Sequence, residues 1–285
     1  MLERLEFMGA RASYEEAEIV LLGAPMDWTA SFRAGARHAP AGIRLVSQGL
    51  EEYSPYLDRD LDQCLFHDAG DVFLPPGDVP ASLQAVAEIT GRVVHDGKFP
   101  VLLGGEHLVT WPAVQQLAAR YPGLAVIQFD AHADLMDEYL GLSLSHATVM
   151  RRVSELVGKG NLFQFGIRSC TRPEIAYARD HTRLTGLAGG AILAALEENL
   201  TSLQGRPVYV TLDIDVVDPA FAPGTGTAEP GGCTSREILL AVHMLNSLNL
   251  VGFDLVEVCP PYDQSQRTAL LAAEIVREVV LGRVR

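Results

Sequence analysis

Nearly unbroken apolar, β-rich runs alternate along this sequence with amphipathic helical patterns, and this alternation limits the possible folds more than any other feature. The strand-like runs lie at residues 18–25, 98–105, 124–129, 161–167, 206–212 and 250–258, with a weaker one at 64–70. The helical patterns lie at residues 82–97, 108–123, 144–158, 189–203, 234–248 and 265–282. Because continuous apolar strands separated by helices are typical of a parallel sheet covered on both faces, the sequence predicts an α/β fold. No internal repeat or linker interrupts it, so residues 1–285 are expected to form one domain.

The composition excludes some classes of partner. The formal net charge is -14, and no basic stripe is available to neutralise phosphates, so nucleic acid is not expected as a partner and a cationic small molecule is favoured. No stretch approaches the ~20 apolar residues that span a bilayer, and the first 18 residues lack the apolar centre of a signal peptide. We therefore expect a cytoplasmic protein without a membrane segment, in which Cys64, Cys170, Cys233 and Cys259 are free thiols.

Charged residues cluster where three of the apolar runs end. In open α/β sheets, ligands bind beyond the carboxyl ends of the strands. Residues two apart in an extended segment project to the same side, so these strand ends can direct six side chains at one point. The six are His107, Asp130, His132, Asp134, Asp213 and Asp215.

Four of these six side chains are carboxylates, and four carboxylates in one place cannot all stay ionised without a compensating cation. Two divalent ions would balance their charge, and paired metals about 3.5 to 4 Å apart are an established way to activate a bridging water. Hard oxygen ligands with two imidazoles favour manganese or magnesium over zinc, and imidazole nitrogen suits manganese better. The pattern therefore predicts two Mn²⁺ ions per chain.

A simpler explanation exists for each acid alone, because a single Asp after a strand usually caps the next helix. It does not explain the alternating D-x-H-x-D and D-x-D patterns, since one helix needs one cap. Asp218 precedes Pro219 and suits a turn, and Asp68 and Asp71 are explained by loop chemistry. Asp254 is interpreted as a supporting or structural residue.

Four segments resemble the signature segments of the ureohydrolases, the arginase and agmatinase family. They are GGEH at 104–107, DAHAD at 130–134, DIDVVDPAFAPGTGT at 213–227 and DLVEVCPPYD at 254–263. The similarity extends from residue 23 almost to the C-terminus, and residues 50–61 are most similar to bacterial members that act on agmatine. The resemblance implies a three-layer α/β/α fold with a mainly parallel central sheet, a binuclear manganese centre, hydrolysis of a guanidino group to urea, and a homo-oligomer, commonly a trimer or hexamer.

The resemblance also implies a role for each residue of the site. One manganese would be bound by His107, Asp130, Asp134 and Asp213, and the other by Asp130, His132, Asp213 and Asp215. Glu257 matches the family's guanidinium-binding glutamate, and His146 matches its active-site histidine. We expect His146, titrating near pH 6.5, to carry the proton from the attacking hydroxide to the departing amine. The alternative is that Ser145 or His146 merely caps the helix that follows.

The expected substrate is agmatine, a small guanidino cation, and the expected products are putrescine and urea, as in polyamine biosynthesis. The loop at 135–146 contains no basic residue, and Asp137 and Glu138 are expected to repel a substrate carboxylate. Two alternatives stay open: another ureohydrolase, acting on guanidinobutyrate, guanidinopropionate, formiminoglutamate or arginine, and a non-catalytic module that binds metal. The sequence does not decide whether Trp28, Phe32, Arg33 and Arg37 line a pocket or an interface.

Overall fold

The computed structural model describes residues 5–186 and 192–283. Its strands are β1 (Ile19–Ala24), β2 (Tyr53–Ser54), β3 (Arg59–Asp60), β4 (Phe66–Asp71), β5 (Phe99–Gly104), β6 (Ala125–Phe129), β7 (Leu162–Phe165), β8 (Arg183–Thr185), β9 (Pro207–Asp213) and β10 (Asn249–Val256). Its α-helices are α1 (Ala39–Ser47), α2 (Val79–His95), α3 (Thr110–Arg120), α4 (Val149–Val157), α5 (Arg172–His181), α6 (Ile192–Leu203), α7 (Ser235–Met244) and α8 (Arg267–Leu281).

Eight of the strands form one sheet in the order β4-β1-β5-β10-β9-β6-β7-β8, and all the neighbours in it pair in parallel. The short strands β2 and β3 form a separate antiparallel hairpin. Chain order is broken in the middle of the sheet, where β10 and β9 are inserted between β5 and β6. Such a break in strand order opens a crevice at the carboxyl ends of the strands, which is where ligands bind in open α/β sheets.

Helices cover both faces of the sheet, each over its own apolar core. On one face, α1, α6, α7 and α8 pack onto a core that includes Ile43, Leu196, Ile238 and Ile275. On the other face, α2, α3, α4 and α5 pack onto a second core. The three-layer α/β/α fold expected from the sequence is therefore confirmed.

The apolar runs of the sequence are the strands of the sheet, but the patterns do not predict α1, α5 or β8. Helix α1 contains Pro40 and Gly42; its proline lies in the first turn, where the missing N–H costs no hydrogen bond. Helix α5 buries only Glu174 and Ala178 and so has no apolar stripe. Strand β8 is a three-residue edge strand. Of the helix predicted at 189–203, residues 189–191 lie outside the described residues and the rest forms α6.

Helix length and hydropathy bear on the expectation that no segment crosses a membrane. Within residues 5–186 and 192–283, none of the helices combines the length and apolar character that a membrane crossing requires.

Candidate metal centre and pocket

All six predicted ligands lie at the carboxyl ends of three central strands. Strand β5 leads to His107, β6 leads to the segment that holds Asp130, His132 and Asp134, and β9 ends at Asp213, two residues before Asp215. Between β5 and β9 lies β10, whose end presents Glu257 to the same region. Strand pairing therefore places the six side chains and Glu257 together, although they are far apart in sequence.

The first group of donor atoms surrounds Nδ1 of His107. This nitrogen lies 3.0 Å from Oδ2 of Asp130 and 3.0 Å from Oδ2 of Asp134. Oδ2 of Asp213 is 3.4 Å from the same nitrogen. Ligand atoms of His107, Asp130 and Asp134 lie within 4.8 Å of one another, a spacing at which one ion can contact all three.

The second group surrounds Nδ1 of His132, which lies 2.9 Å from Oδ2 of Asp215 and 3.6 Å from Oδ1 of Asp130. Ligand atoms of Asp130, His132 and Asp215 also lie within 4.8 Å of one another. Asp130 thus faces the first group with Oδ2 and the second with Oδ1. One carboxylate that serves both groups is the geometry expected of a bridging ligand.

The residues present fit a bound cation. Nδ1 of His107 is buried and has no aligned hydrogen bond among the described residues, although three carboxylate oxygens surround it. Burial and the adjacent Asp130 raise the pKa of Asp134 to about 7. Burial, together with Asp215 and Asp130, raises the pKa of Asp213 well above its ordinary value. Asp134 also adopts a left-handed backbone with φ 53, a conformation that is costly for a residue with a side chain. Without a cation, these carboxylates oppose one another.

A buried hydrogen-bond chain fixes the tautomer of His107. Nε2 of His107 lies 2.9 Å from Oγ1 of Thr211, which donates its own hydrogen to Oδ1 of Asp254 at 2.6 Å. Because the hydroxyl has only one hydrogen, Nε2 must donate to it, and Nδ1 keeps its lone pair. Thr110 and Tyr209 donate to the other oxygen of Asp254. Asp254 therefore supports His107, a predicted metal ligand, through Thr211, as carboxylates often do around metal-binding histidines.

Glu257 lies at the end of β10 and lines the pocket described below. Its Oε1 accepts the backbone N–H of His107 at 2.8 Å, and its own N–H donates to the carbonyl of Gly105 at 2.7 Å. Burial, with the nearby Glu106, raises the pKa of Glu257 to about 8. Like Asp134, it has a left-handed backbone, with φ 63. Two strained residues in one site indicate a functional constraint on the backbone.

His146 lies in a single helical turn before α4, and its side chain does not cap that turn. Ser145 and Thr148 bond to each other there, with Ser145 N–H donating to Thr148 Oγ1 at 2.9 Å. The imidazole faces Thr29 and Ser31 and lines the pocket. The expectation that His146 titrates near pH 6.5 is wrong in this structure, because burial lowers its pKa to about 4.

A cavity of about 310 Å³ opens beside the donor groups. Its walls carry small and polar side chains from four loops, together with acids from the site. The lining residues are Ser31, His132, Ala133, Asp134, Met136, Tyr139, His146, Ala147, Ser169, Cys170, Thr171, Glu174, Asp213, Thr227 and Glu257. Lys and Arg are absent from this lining set.

The loop at 135–146 acts differently from the expectation. Asp137 and Glu138 are exposed and do not line the cavity, and Asp137 forms an ion pair with Arg152 at 2.7 Å. A partly neutralised, outward-facing pair cannot be the source of repulsion inside the pocket. The acids that face the cavity are instead Asp134, Asp213, Glu174 and Glu257.

Of the two alternatives considered for the first loop, a pocket wall is wrong and an interface stays a prediction. Trp28 donates to Oγ of Ser82 at 3.1 Å, and Arg37 pairs with the buried Asp27 at 2.9 Å. The Arg33 guanidinium lies over the rings of Phe32 and Tyr262. Trp28, Phe32, Arg33 and Arg37 do not line the cavity.

Asp68 and Asp71 belong to β4 rather than to a loop, and both pair with the buried Arg44. The expectation of loop chemistry is therefore wrong for both acids, which form an ion-pair network between β4 and α1.

Asp218 does form a turn, since its carboxylate accepts N–H groups of Ala220 and Gly231.

The sequence patterns missed four buried polar residues that support the site. Thr211 supports His107, and Thr29 and Glu106 contact each other beside His146. Glu174 accepts the N–H of Leu135 at 3.0 Å, next to the strained Asp134. The sequence marks these residues only as polar side chains within apolar or helix-capping segments. Many proteins contain such residues for structural reasons, so this signal does not identify a functional site.

Comparison with known proteins gives consistent matches over nearly the whole chain. The model of the arginase family matches residues 17–282. Agmatinase of Bacillus subtilis (strain 168) is 50% identical over 281 residues, covering 98% of this chain and 96% of that protein. Proclavaminate amidinohydrolase of Streptomyces clavuligerus is 36% identical over 94% of this chain and 88% of its own. The crystal structure of agmatine ureohydrolase of Thermoplasma volcanium superposes with a TM-score of 0.90 at 32% identity, covering 99% of this chain and 95% of that one.

Proposed function

Because this chain belongs to the arginase family of hydrolases, we propose that it hydrolyses agmatine to putrescine and urea, a reaction of polyamine biosynthesis. The agmatinases of Bacillus subtilis, Bacillus anthracis and Bacillus cereus are 49–50% identical to it over 98% of this chain, which supports this choice within the family. The family's guanidino substrates share one reacting group, so the tail of the substrate decides between them.

The charge of the cavity wall is the observation that carries the proposal. Two of its four acids, Asp134 and Asp213, are proposed metal ligands whose charge the ions would balance, so Glu174 and Glu257 are the acids left to face a substrate. No Lys or Arg stands among its lining residues. Agmatine has a guanidinium at one end and an ammonium at the other, so both ends suit this wall. Arginine and the guanidino acids carry a carboxylate, which would be desolvated beside these acids without a partner.

The six clustered side chains are proposed to hold two manganese ions. His107, Asp130, Asp134 and Asp213 would bind one, and Asp130, His132, Asp213 and Asp215 the other, with Asp130 and Asp213 shared. When bound, such a pair of ions lowers the pKa of a water so that hydroxide is available near neutral pH. The donor set of four carboxylates and two imidazoles supports manganese over zinc or magnesium.

Two further residues of the chain are proposed to act on the substrate. One oxygen of Glu257 is held by the N–H of His107, which fixes the carboxylate where it can accept parallel N–H bonds from a planar guanidinium. Fixing the guanidinium carbon in this way lowers the entropic part of the barrier. His146, neutral at pH 7, would take the proton of the attacking hydroxide and give it to the departing amine. We also propose a homo-oligomer, a trimer or hexamer, as the family resemblance implies.

The test is urea release from agmatine, arginine and guanidinobutyrate by protein prepared with manganese. We expect kcat/KM for agmatine to exceed that for arginine by at least about 10²-fold, because a buried carboxylate without a partner costs several kcal/mol. Asp137→Asn is the matched control, because Asp137 lies outside the cavity and should leave this ratio unchanged. Equal rates on agmatine and a guanidino acid would contradict the assignment. Mass spectrometry should find about two manganese ions per chain, and one ion under saturating metal would contradict the shared carboxylates.

A further inference from the structure

Glu106 is a buried carboxylate in the GGEH segment whose hydrogen bonds come largely from one residue, Thr29. The Thr29 hydroxyl donates to Oε2 of Glu106 at 2.6 Å, and the Thr29 N–H donates to the same oxygen at 3.0 Å. Both residues are nearly inaccessible to solvent. A buried carboxylate is unfavourable unless its bonds are satisfied, so this contact holds the Thr29 hydroxyl in one orientation.

The orientation of that hydroxyl determines the hydrogen bonds of His146. Oγ1 of Thr29 accepts the backbone N–H of His146 at 3.1 Å and lies 3.3 Å from its Nδ1. A threonine hydroxyl has one hydrogen and two lone pairs, and the hydrogen is already donated to Glu106. Nδ1 must therefore be the donor in its contact with Thr29, and it carries the ring proton.

The other ring nitrogen is then free to accept a proton. Nε2 of His146 lies 3.4 Å from Oγ of Ser31, and both residues line the cavity. We propose that Glu106 and Thr29 are positioning residues that hold His146 as its Nδ1–H tautomer, with the Nε2 lone pair directed to the reacting group. The effect on catalysis rests on the proposed function, whereas the tautomer itself does not.

A purely structural role for Thr29 makes different predictions. If its hydroxyl only tied the His146 backbone to the first loop, Thr29→Val would lower thermal stability and affect activity only through unfolding. If it positions the imidazole, Thr29→Val should lower kcat about tenfold or more while KM changes less than about twofold, because general acid–base catalysis depends on the correct tautomer. Manganese content should not change.

Two variants control this substitution. Thr29→Ser keeps the hydroxyl and should retain most of kcat. Thr90→Val makes the same change at a buried threonine of α2 whose hydroxyl has no partner among the described residues, and it should leave kcat unchanged. In a His146→Ala background, Thr29→Val should cause no further loss, since its effect acts through that ring. A full additional loss in that background, or parent kcat in Thr29→Val itself, overturns the positioning role.

Nitrogen-15 NMR of histidine-labelled protein tests the tautomer without any turnover. The protein is loaded with Mg²⁺ as a diamagnetic ion, and the His146 signals are identified by their loss in His146→Gln. The parent and Thr29→Ser should show protonated Nδ1 and unprotonated Nε2, and Thr29→Val should show a mixture. A parent spectrum with protonated Nε2 overturns the inference even if agmatine is hydrolysed. Conversely, absence of urea with the expected spectrum rejects the proposed function and keeps the tautomer.

Discussion

Gly105 lies where the segment after β5 crosses the backbone of the first loop, and replacing it by alanine tests how rigidly the site is built. An added Cβ would lie 1.9 Å from the carbonyl oxygen of Met26 and 2.7 Å from its backbone carbon and nitrogen. Real Cβ atoms essentially never approach closer than 3.0 Å, so one backbone must move by about 1 Å. The φ angle of Gly105 is not in the left-handed region, so this contact is the source of the expected effect.

That displacement would reach the site directly. Gly105 N–H donates to the carbonyl of Ala24, and its own carbonyl accepts the N–H of Glu257 at 2.7 Å. His107 is two residues away and also binds Glu257 through its N–H. A misplacement of about 1 Å can cost about 10²-fold in rate, so we expect kcat/KM of Gly105→Ala to fall by about that factor, with weaker metal binding. Overpacking should lower the free energy of unfolding by about 1 to 3 kcal/mol.

The assays are urea release from agmatine, manganese content and thermal unfolding, each compared with the parent. Gly49→Ala is the matched control, because its added Cβ would meet its nearest atom, the Val46 carbonyl oxygen, at an ordinary 3.5 Å. Parent-like kcat/KM and metal content in Gly105→Ala would refute the argument that contact between these two backbones sets the position of His107 and Glu257.

The other predictions concern the ligands, the base and a buried acid far from them. Asp213→Ala should lose manganese and activity together, whereas His146→Ala should keep its metal and its fold and lose about 10² to 10⁴ in kcat, as measured by metal analysis and urea release. Loss of metal in His146→Ala would contradict this separation. Glu278→Gln should lower the free energy of unfolding at pH 7 by about 3 kcal/mol, because the buried Glu278 carboxylate binds His243 and Arg277. Burial raises the pKa of Glu278, but the bonds to His243 and Arg277 outweigh it and lower the pKa below its ordinary value of 4.5. The carboxylate therefore stabilises the fold above pH 4.5, and this stabilisation is lost as the pH falls below that value. Denaturation curves from pH 7 to 3 should show the stability difference between the parent and Glu278→Gln becoming smaller, and a constant difference would contradict the prediction.

The fold and the candidate ligands could be predicted from the sequence because both depend on short, repeated signals. Buried parallel strands have apolar runs, and acids at i, i+2 and i+4 after a run project together at the sheet edge. The structure brings Asp130, His132 and Asp134 into contact with residues from β5 and β9 for this reason. Their roles as ligands stay a prediction.

What could not be predicted depends on contacts between distant segments. The neutral state of His146 comes from burial, and Asp137 is directed outward by Arg152, fifteen residues later. The sequence of a loop shows which residues are charged, but not whether their side chains face the cavity or the solvent. Helix α5 lacks an apolar stripe, so the pocket residue Glu174 had no recognisable element to place it.

The two histidines that we propose for different tasks, metal binding by His107 and proton transfer by His146, are held by the same arrangement of side chains. A buried carboxylate takes the hydrogen of a threonine hydroxyl, and the hydroxyl oxygen then faces an imidazole nitrogen: Asp254 and Thr211 do this for His107, and Glu106 and Thr29 do it for His146. A carboxylate bonded directly to imidazole stabilises the protonated ring, as in serine hydrolases. When a neutral hydroxyl lies between the carboxylate and the imidazole, it still selects the tautomer, but it stabilises the protonated ring much less. A metal ligand and a proton acceptor both need a neutral ring with one defined lone pair, and the intervening threonine meets that need at each position.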